Sequence, residues 1–180
     1  MGDRGRSLNE NDIQSNEILD VVDIDDEVVG QATRGEIHEK GWLHRAVHIF
    51  LFNSAGEIYI QRRSRFKDRH PSKLDSSAAG HVDSMESYEE AAKRELHEEL
   101  GIIEELSFVL KVSACDETDS EHVLLYSAQS DTMPVPDSKE ISWGKFVDPL
   151  ELTDLMAKDP EDFVPAFILL WRLYMEARLQ

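Results

Sequence analysis

The sequence predicts an α/β fold: one mixed β-sheet with helices on both of its faces. Two observations carry that prediction. Short runs rich in β-branched and aromatic residues recur along the chain, and only three substantial helical patterns interrupt them. The chain has 180 residues, of which 41% are hydrophobic, ample for one core. Residues 1–16 are polar and read as a disordered tail, so residues 17–180 form the expected single domain.

The elements follow in order. Glu17 to Ile24 reads as a strand, Asp25-Asp26 as a turn, and Glu27 to Gln31 as the returning segment. Arg34 to Lys40 fits a short helix. Arg45 to Phe52, RAVHIFLF, is a long apolar strand. Asn53-Ser54-Ala55-Gly56 is a hairpin turn into the strand Glu57 to Arg62. A polar loop is expected from Ser64 to Ser77. The best-signalled helix comes next: Ser87 and Glu90 form a capping box, and Gly101 supplies the stop. Strands are expected near Leu106 to Ala114, His122 to Gln129 and Ile141 to Val147, with a loop at Thr132 to Asp137. Pro149 opens a short helix to Met156. Asp162 to Leu179 is an amphipathic C-terminal helix.

The chemistry is concentrated between Gly80 and Ile102, GHVDSMESYEEAAKRELHEELGI. Glu95, Glu98 and Glu99 fall at i, i+3 and i+4, so a helix turning about 100° per residue sets them on one arc. Like charges at this spacing repel. Tyr88, Ala92, Leu96 and Leu100 form an apolar stripe beside that arc, so the glutamates sit at the edge of a packed face. Carboxylates held there without a partner are costly. A cation turns the cost into a binding site, and oxygen-only ligands suit Mg²⁺ or Mn²⁺ better than zinc. The plain alternative is a solvated, charged helix face.

Gly80, Glu86, Arg94, Glu95, Leu96, Glu98, Glu99, Gly101 and Ile102 occupy every defined position of a Nudix box, and the segment resembles that family. A match this long is far more specific than a lone glycine motif, and it weighs against the solvated face. The resemblance implies an α/β/α sandwich with a mixed β-sheet and the box helix on one face. It implies hydrolysis of a nucleoside diphosphate derivative or a related small diphosphate, with Mg²⁺ or Mn²⁺ as cofactor. It also implies that Glu95, Glu98 and Glu99 bind metal with help from the Gly80 carbonyl, and that Glu86 and Arg94 pair to hold the loop against the helix. The expected catalytic set is therefore Glu98, Glu99, Arg94 and Glu86. Glu98 is the first candidate for the base that deprotonates the attacking water, with Glu140 or Glu121 as alternatives outside the box.

Beyond the box, Leu43-His44-Arg45-Ala46, Phe50-Leu51-Phe52-Asn53, Gln61-Arg62-Arg63 and Leu74-Asp75 look like the branch of type I isopentenyl-diphosphate isomerases and their hydrolase-like relatives. That resemblance implies a second metal site from His38, His44 and His81, with Glu121 or the adjacent His122 near its acidic ligands. It implies diphosphate contacts from Arg34, Arg63 and Lys67. The simpler readings are hydrogen-bonded core histidines and a solvated basic loop at 61–70. The isomerases need a cysteine just before the Gly-His pair as the proton donor to carbon. Here that residue is Ala79, which has no titratable group. Hydrolysis is therefore the favoured reading. An isomerase-like enzyme and a non-catalytic diphosphate-binding module are the alternatives.

Composition narrows the partners. A net charge of −18 argues against a nucleic acid polymer, because phosphate neutralisation needs Lys and Arg. The apolar run Phe163 to Tyr174 is broken by Pro165 and Arg172 and is too short to span a bilayer. The N-terminus lacks an apolar signal core. Cys115 is the only cysteine, which excludes an intrachain disulfide and agrees with a cytoplasmic location. The expected partner is a small-molecule diphosphate. A homodimer is expected from the habit of Nudix relatives.

Overall fold

The computed structural model describes residues 16–178. The reading of residues 1–16 as a disordered tail lies, apart from Asn16, outside that range. Strands β1 (Ile18–Val22) and β2 (Val28–Thr33) form an antiparallel hairpin. Helix α1 (Arg34–Lys40) follows, capped by Thr33 and Glu36 and ended by Gly41 at a φ of 64°. Then come β3 (His44–Phe52), β4 (Ile58–Arg63), β5 (Leu74–Asp75) and β6 (Ala78–His81). Helix α2 (Tyr88–Leu100) precedes β7 (Ser107–Val112), β8 (Glu121–Gln129) and β9 (Ile141–Val147). Helices α3 (Pro149–Lys158) and α4 (Pro165–Arg178) close the described chain.

β3 is the spine. Its Val47, Ile49 and Leu51 face one core and its Ala46 and Phe50 the other, and all are buried. A strand covered on both faces reads as a continuous apolar run, which is why RAVHIFLF looks unbroken. β3 pairs parallel with β8, and β8 pairs antiparallel with β7. Ala91, Ala92, Leu96 and Leu100 of α2 pack on the Val47 face. Leu152 and Met156 of α3, with Phe167, Leu170 and Trp171 of α4, pack on the Phe50 face. The result is an α/β/α sandwich, and each fully buried aliphatic or aromatic side chain contributes about 1.5–3 kcal/mol to it.

The sheet opens where the site lies. β3 and β4 pair only at Phe52 and Ile58, then diverge. β5 stays with β4, while β6 crosses to pair with β3 from Ala46 to Ile49. Ser76 and Ser77 make the crossing and are fully buried. Ser77 succeeds there because its hydroxyl accepts from Leu51 N at 2.8 Å and donates to the Tyr59 carbonyl at 2.5 Å. The expected polar loop of 64–77 therefore holds a short strand, and the loop before the box helix holds another. Small polar residues gave no periodic signal for either.

Two other expectations shift. The C-terminal helix starts at Pro165 rather than Asp162. Residues Pro160–Asp162 form a 3₁₀ turn, and Val164 N donates to the Leu74 carbonyl at 2.9 Å. The Asp25-Asp26 turn also does more than turn. Asp26, at a φ of 67°, is buried and takes Arg45, Lys111 and the Tyr88 hydroxyl. It docks the N-terminal hairpin onto β3, β7 and α2.

Candidate active site

The box helix is held at both ends. Ser87 accepts from Glu90 N while Glu90 reaches back to Ser87 N, and Gly101 ends the helix at a φ of 67°. Packing of Leu96 and Leu100 then aims Glu95 and Glu99 inward, toward β6. A Cβ built on Gly80 would fall inside the Glu95 carboxyl group, so only glycine admits that side chain. Glu99 is 4% exposed; its Oε2 accepts from Gln61 Nε2 at 3.0 Å and Ala79 N at 3.3 Å. Glu98 is the open member, with a side chain 58% exposed.

Arg94 ties these parts together. It binds both oxygens of Glu86 at 3.0 and 2.8 Å and donates to the His81 carbonyl at 3.0 Å. Its Nη1 reaches Glu95 at 2.6 Å and Glu98 at 3.3 Å. The Glu86–Arg94 pair thus fastens the preceding loop to the helix. One guanidinium does not neutralise the array. Burial pushes Glu99 up to about 8, and the charge of Glu95 adds to the rise. Burial likewise pushes Glu95 up to about 7, against the pull of Arg94. Desolvated carboxylates, one of them fitted against a glycine, suit a divalent cation.

A second cluster gathers residues from four elements. His38 comes from α1, His44 opens β3, His81 ends β6 and Glu121 opens β8. The registers explain the meeting, because His44 pairs with Glu121 and Ala46 with His81. The three imidazole centroids lie 4.9–5.2 Å apart, and a ligating atom from each falls within 4.8 Å of the others. His44 Nδ1 donates to the Trp42 carbonyl at 3.0 Å, which turns Nε2 toward the cluster. That Nε2 and His38 Nε2 are buried without hydrogen-bond partners. Glu121 Oε1 lies 3.4 Å from His44 Nε2 and 3.3 Å from His81 Nε2. Burial alone would raise the Glu121 carboxyl, yet His44 and His81 hold it well below the usual range. Burial, then the charges of His81 and His44, push His38 down to about 4. Orphaned imidazole nitrogens around a carboxylate also fit a metal ion.

His122 does not join this cluster. Its ring bonds the Asp23 carbonyl at 2.9 Å and Ala114 N at 3.4 Å, the satisfied core histidine of the plain reading.

The box-helix array borders a cavity of about 580 Å³ that His81 and Glu121 of the second cluster also line, with Arg34, Arg63 and Lys67, while His38 and His44 line a smaller one. Each cation is held by an acid: Arg34 by Asp68 at 2.8 Å, Arg63 by Asp75 at 2.9 Å, and Lys67 by Glu140. Arg63 Nε is buried and has no partner. Trp42, Phe66 and Trp143 lie outside the larger cavity, although Trp42 lines the smaller one, of about 220 Å³, behind His38. Sequence reasoning missed Asp75 and His48 in the cavity wall, and Gln61 buried against Glu99. Gln61 sits in the quoted Gln-Arg-Arg run, but nothing in the run marks which side chain turns inward.

An α/β/α sandwich that lays the carboxylates of a capped helix against a strand glycine defines the Nudix fold. The chain belongs to the Nudix family: residues 42–167 match the NUDIX domain. A Nudix hydrolase of Deinococcus radiodurans is 40% identical over 141 residues, 77% of this chain and 82% of the relative. An isopentenyl-diphosphate Delta-isomerase of Serratia proteamaculans is 32% identical over 157 residues, 84% of this chain and 88% of the relative. The crystal structure of DR0079 from Deinococcus radiodurans superposes with a TM-score of 0.80 at 34% identity, covering 88% of this chain and 99% of that one. The chain thus sits in a branch that resembles the isomerases, and the family supports a hydrolase of diphosphate bonds in general. Nudix enzymes generally use a divalent metal such as Mg²⁺ or Mn²⁺. Among the described residues no helix is long and apolar enough to cross a membrane.

Proposed function

We propose that the protein is a Mg²⁺- or Mn²⁺-dependent hydrolase that cleaves the diphosphate bond of a nucleoside diphosphate derivative or a related small diphosphate. The observation that carries this reading is the Glu95, Glu98 and Glu99 array beside Gly80, facing Arg34, Arg63 and Lys67 across one cavity. Glu95, Glu98 and Glu99, with the Gly80 carbonyl, hold the metal. His38, His44, His81 and Glu121 hold a second ion. A bound divalent cation supplies charge neutralisation at the diphosphate and a more acidic water. Arg63 and Lys67 bind diphosphate oxygens, with Arg34 beside them, because guanidinium and ammonium donors match phosphate. Glu98, the most open carboxylate of the array, takes the proton as water attacks phosphorus. Arg94 keeps Glu86 and the strand loop in register with the helix.

The isomerase reading has one observation in its favour, the histidine cluster with Glu121. Ala79 opposes it, because no thiol stands where that chemistry needs a proton donor. Cys115 is no substitute: it lies in the β7–β8 connection, bonded to Thr118, and does not line the cavity. A cytoplasmic location, a small-molecule partner and a homodimer belong to the same proposal. The test is a panel of nucleoside di- and triphosphates, dinucleotides, nucleotide sugars and prenyl diphosphates with Mg²⁺ or Mn²⁺. Phosphate release abolished by EDTA supports it, and turnover undiminished by EDTA overturns it.

A further inference from the structure

One buried side chain in the cavity wall has no part in that mechanism. His48 is 5% exposed, stands on the β3 face that carries Ala46, and lines the same cavity. Its Nδ1 lies 2.8 Å from Ser76 Oγ and 3.9 Å from Asp75 Oδ1. Ser76 Oγ has two acceptor-only neighbours, the Ala78 carbonyl at 3.3 Å and Asp75 Oδ1 at 3.4 Å. Its own proton goes to one of these, so it accepts from His48. The negative Asp75 carboxylate also favours a proton on Nδ1. The network therefore assigns the tautomer with N–H at Nδ1 and a lone pair at Nε2. Burial lowers the pKa of this imidazole, so the ring is neutral.

Among the described residues Nε2 makes no hydrogen bond. Nδ1 is taken up by Ser76, so Nε2 is the ring nitrogen left for the cavity that His48 lines. Its surroundings differ from the rest of the wall. Ala46 beside it, with Val164 and Ala166 around the start of α4, adds an apolar stretch of wall. Asp75 and its partner Arg63 lie close by. A diphosphate held by Arg63 thus brings the group it is attached to within reach of this ring and the apolar wall.

We propose that His48 is a specificity-determining residue whose Nε2 accepts a hydrogen bond from a hydroxyl or amino group on the non-phosphate part of the substrate. The site then selects nucleoside- or sugar-type diphosphates over hydrocarbon ones. A hydrocarbon against this ring would strip Nε2 of water and give nothing back, a loss of roughly ten- to a hundredfold in affinity or kcat/KM. This inference rests on the proposed hydrolase reading.

The test uses the full chain and two probes that share the diphosphate: a nucleoside diphosphate and isopentenyl diphosphate. Two variants separate the two ring nitrogens. His48→Asn keeps an amide N–H where Nδ1 meets Ser76 and removes the acceptor at Nε2. His48→Gln carries an amide oxygen toward the position of Nε2 and loses the Ser76 bond. We expect the wild type to favour the nucleoside diphosphate in kcat/KM with Mg²⁺ and in calorimetric binding with EDTA present. His48→Asn should lower that preference about tenfold or more, and His48→Gln should retain most of it. A preference kept by His48→Asn and lost by His48→Gln assigns His48 a merely structural bond to Ser76 and overturns the inference. A preference unchanged in both variants overturns it as well. In either case hydrolysis continues, so the hydrolase reading stands. A wild type that neither binds nor cleaves the nucleoside diphosphate overturns the inference, and the hydrolase reading is decided separately by the wider panel and its EDTA control.

Discussion

The box-helix array and the histidine cluster, which meet at the cavity through His81 and Glu121, solve opposite electrostatic problems. Glu95 and Glu99 are negative groups in a desolvated place, and the nearby cations, Arg94 at Glu95 and Lys67 and Arg63 toward Glu99, do not offset the burial. Their carboxyls rise, to about 7 and about 8. The histidine cluster sets three imidazoles around one acid. Glu121 falls well below its usual range, and His38 is pushed down to about 4. An ion at the array relieves repulsion. An ion at the histidines replaces hydrogen bonds that Nε2 of His38 and His44 lack. The first site should therefore depend steeply on pH and charge, and the second on the geometry that holds three rings.

The largest effect should come from the array. Glu98→Gln should lower kcat by roughly 10²- to 10⁴-fold, the range for losing a positioned general base. The fold should survive, because the change relieves like-charge repulsion along the helix. Circular dichroism beside steady-state kinetics checks both halves, and a variant with wild-type turnover would remove Glu98 from the chemistry. The array also makes a pH prediction. Glu95 and Glu99 rise from an ordinary 4.5, so between that value and about 8 the folded state binds more protons than the unfolded state. Their contribution to metal-free stability then falls as pH rises through that window. With EDTA present, Tm should fall from pH 5 to pH 8, and Glu99→Gln should flatten the slope. Mg²⁺ should raise Tm more at pH 8 than at pH 6. A metal effect independent of pH would break the contrast between the two sites.

The histidine cluster comes next. His44→Ala or His81→Ala should remove one class of site in a Mn²⁺ titration and leave the carboxylate class intact. The loss of turnover should be smaller than for Glu98→Gln. If Glu98→Gln and His81→Ala abolish the same single binding class, the two clusters share one ion and the comparison fails.

How much of each site the sequence reveals follows from how it is built. The array is local: one capped helix orders Glu95, Glu98 and Glu99, and helical spacing is readable without knowing the fold. The histidine cluster depends on two strand registers and a helix, so spacing alone could not assemble it. In the sequence only the family resemblance brings His38, His44 and His81 together, and Glu121 with them. β5 and β6 were unreadable for a related reason. Their stability comes from the hydroxyls of Ser76 and Ser77 bridging diverging strands, which leaves no hydrophobic alternation to see. His48 was invisible too, as a histidine in an apolar strand usually belongs to the core.

The basic loop should give an intermediate effect. Arg63→Ala and Lys67→Ala should each lower kcat/KM or raise KM by the equivalent of about 1.5–3 kcal/mol, the usual cost of a hydrogen bond to a charged group. Both changes also strip a partner from an acid, Asp75 or Glu140. Arg63→Lys separates the two roles, because it keeps a charge near Asp75 and loses the planar fork. If Arg63→Ala and Lys67→Ala match wild type on the best substrate, the loop is solvated surface after all.

The smallest effect on hydrolysis should come from the residue between the two clusters. Ala79 N donates to Glu99 of the array at 3.3 Å, and its strand carries His81 of the other cluster two positions on. Its register partner on β3 is His48, so the Ala79 methyl shares a face with that ring. The wild type should not interconvert isopentenyl and dimethylallyl diphosphate, because methyl carbon neither gives nor takes a proton. Ala79→Cys keeps the backbone bond to Glu99 and adds a single sulfur, so hydrolysis should stay close to wild type. The same change supplies the thiol that the isomerase resemblance requires, and traces of isomerisation would show that the rest of that frame survives. Deuterium incorporation from D₂O into the prenyl diphosphate, run beside phosphate release on the same preparation, reads both reactions. Incorporation by the wild type would be decisive in the other direction: another acid would have taken the thiol's role, and the hydrolase reading would give way to an isomerase.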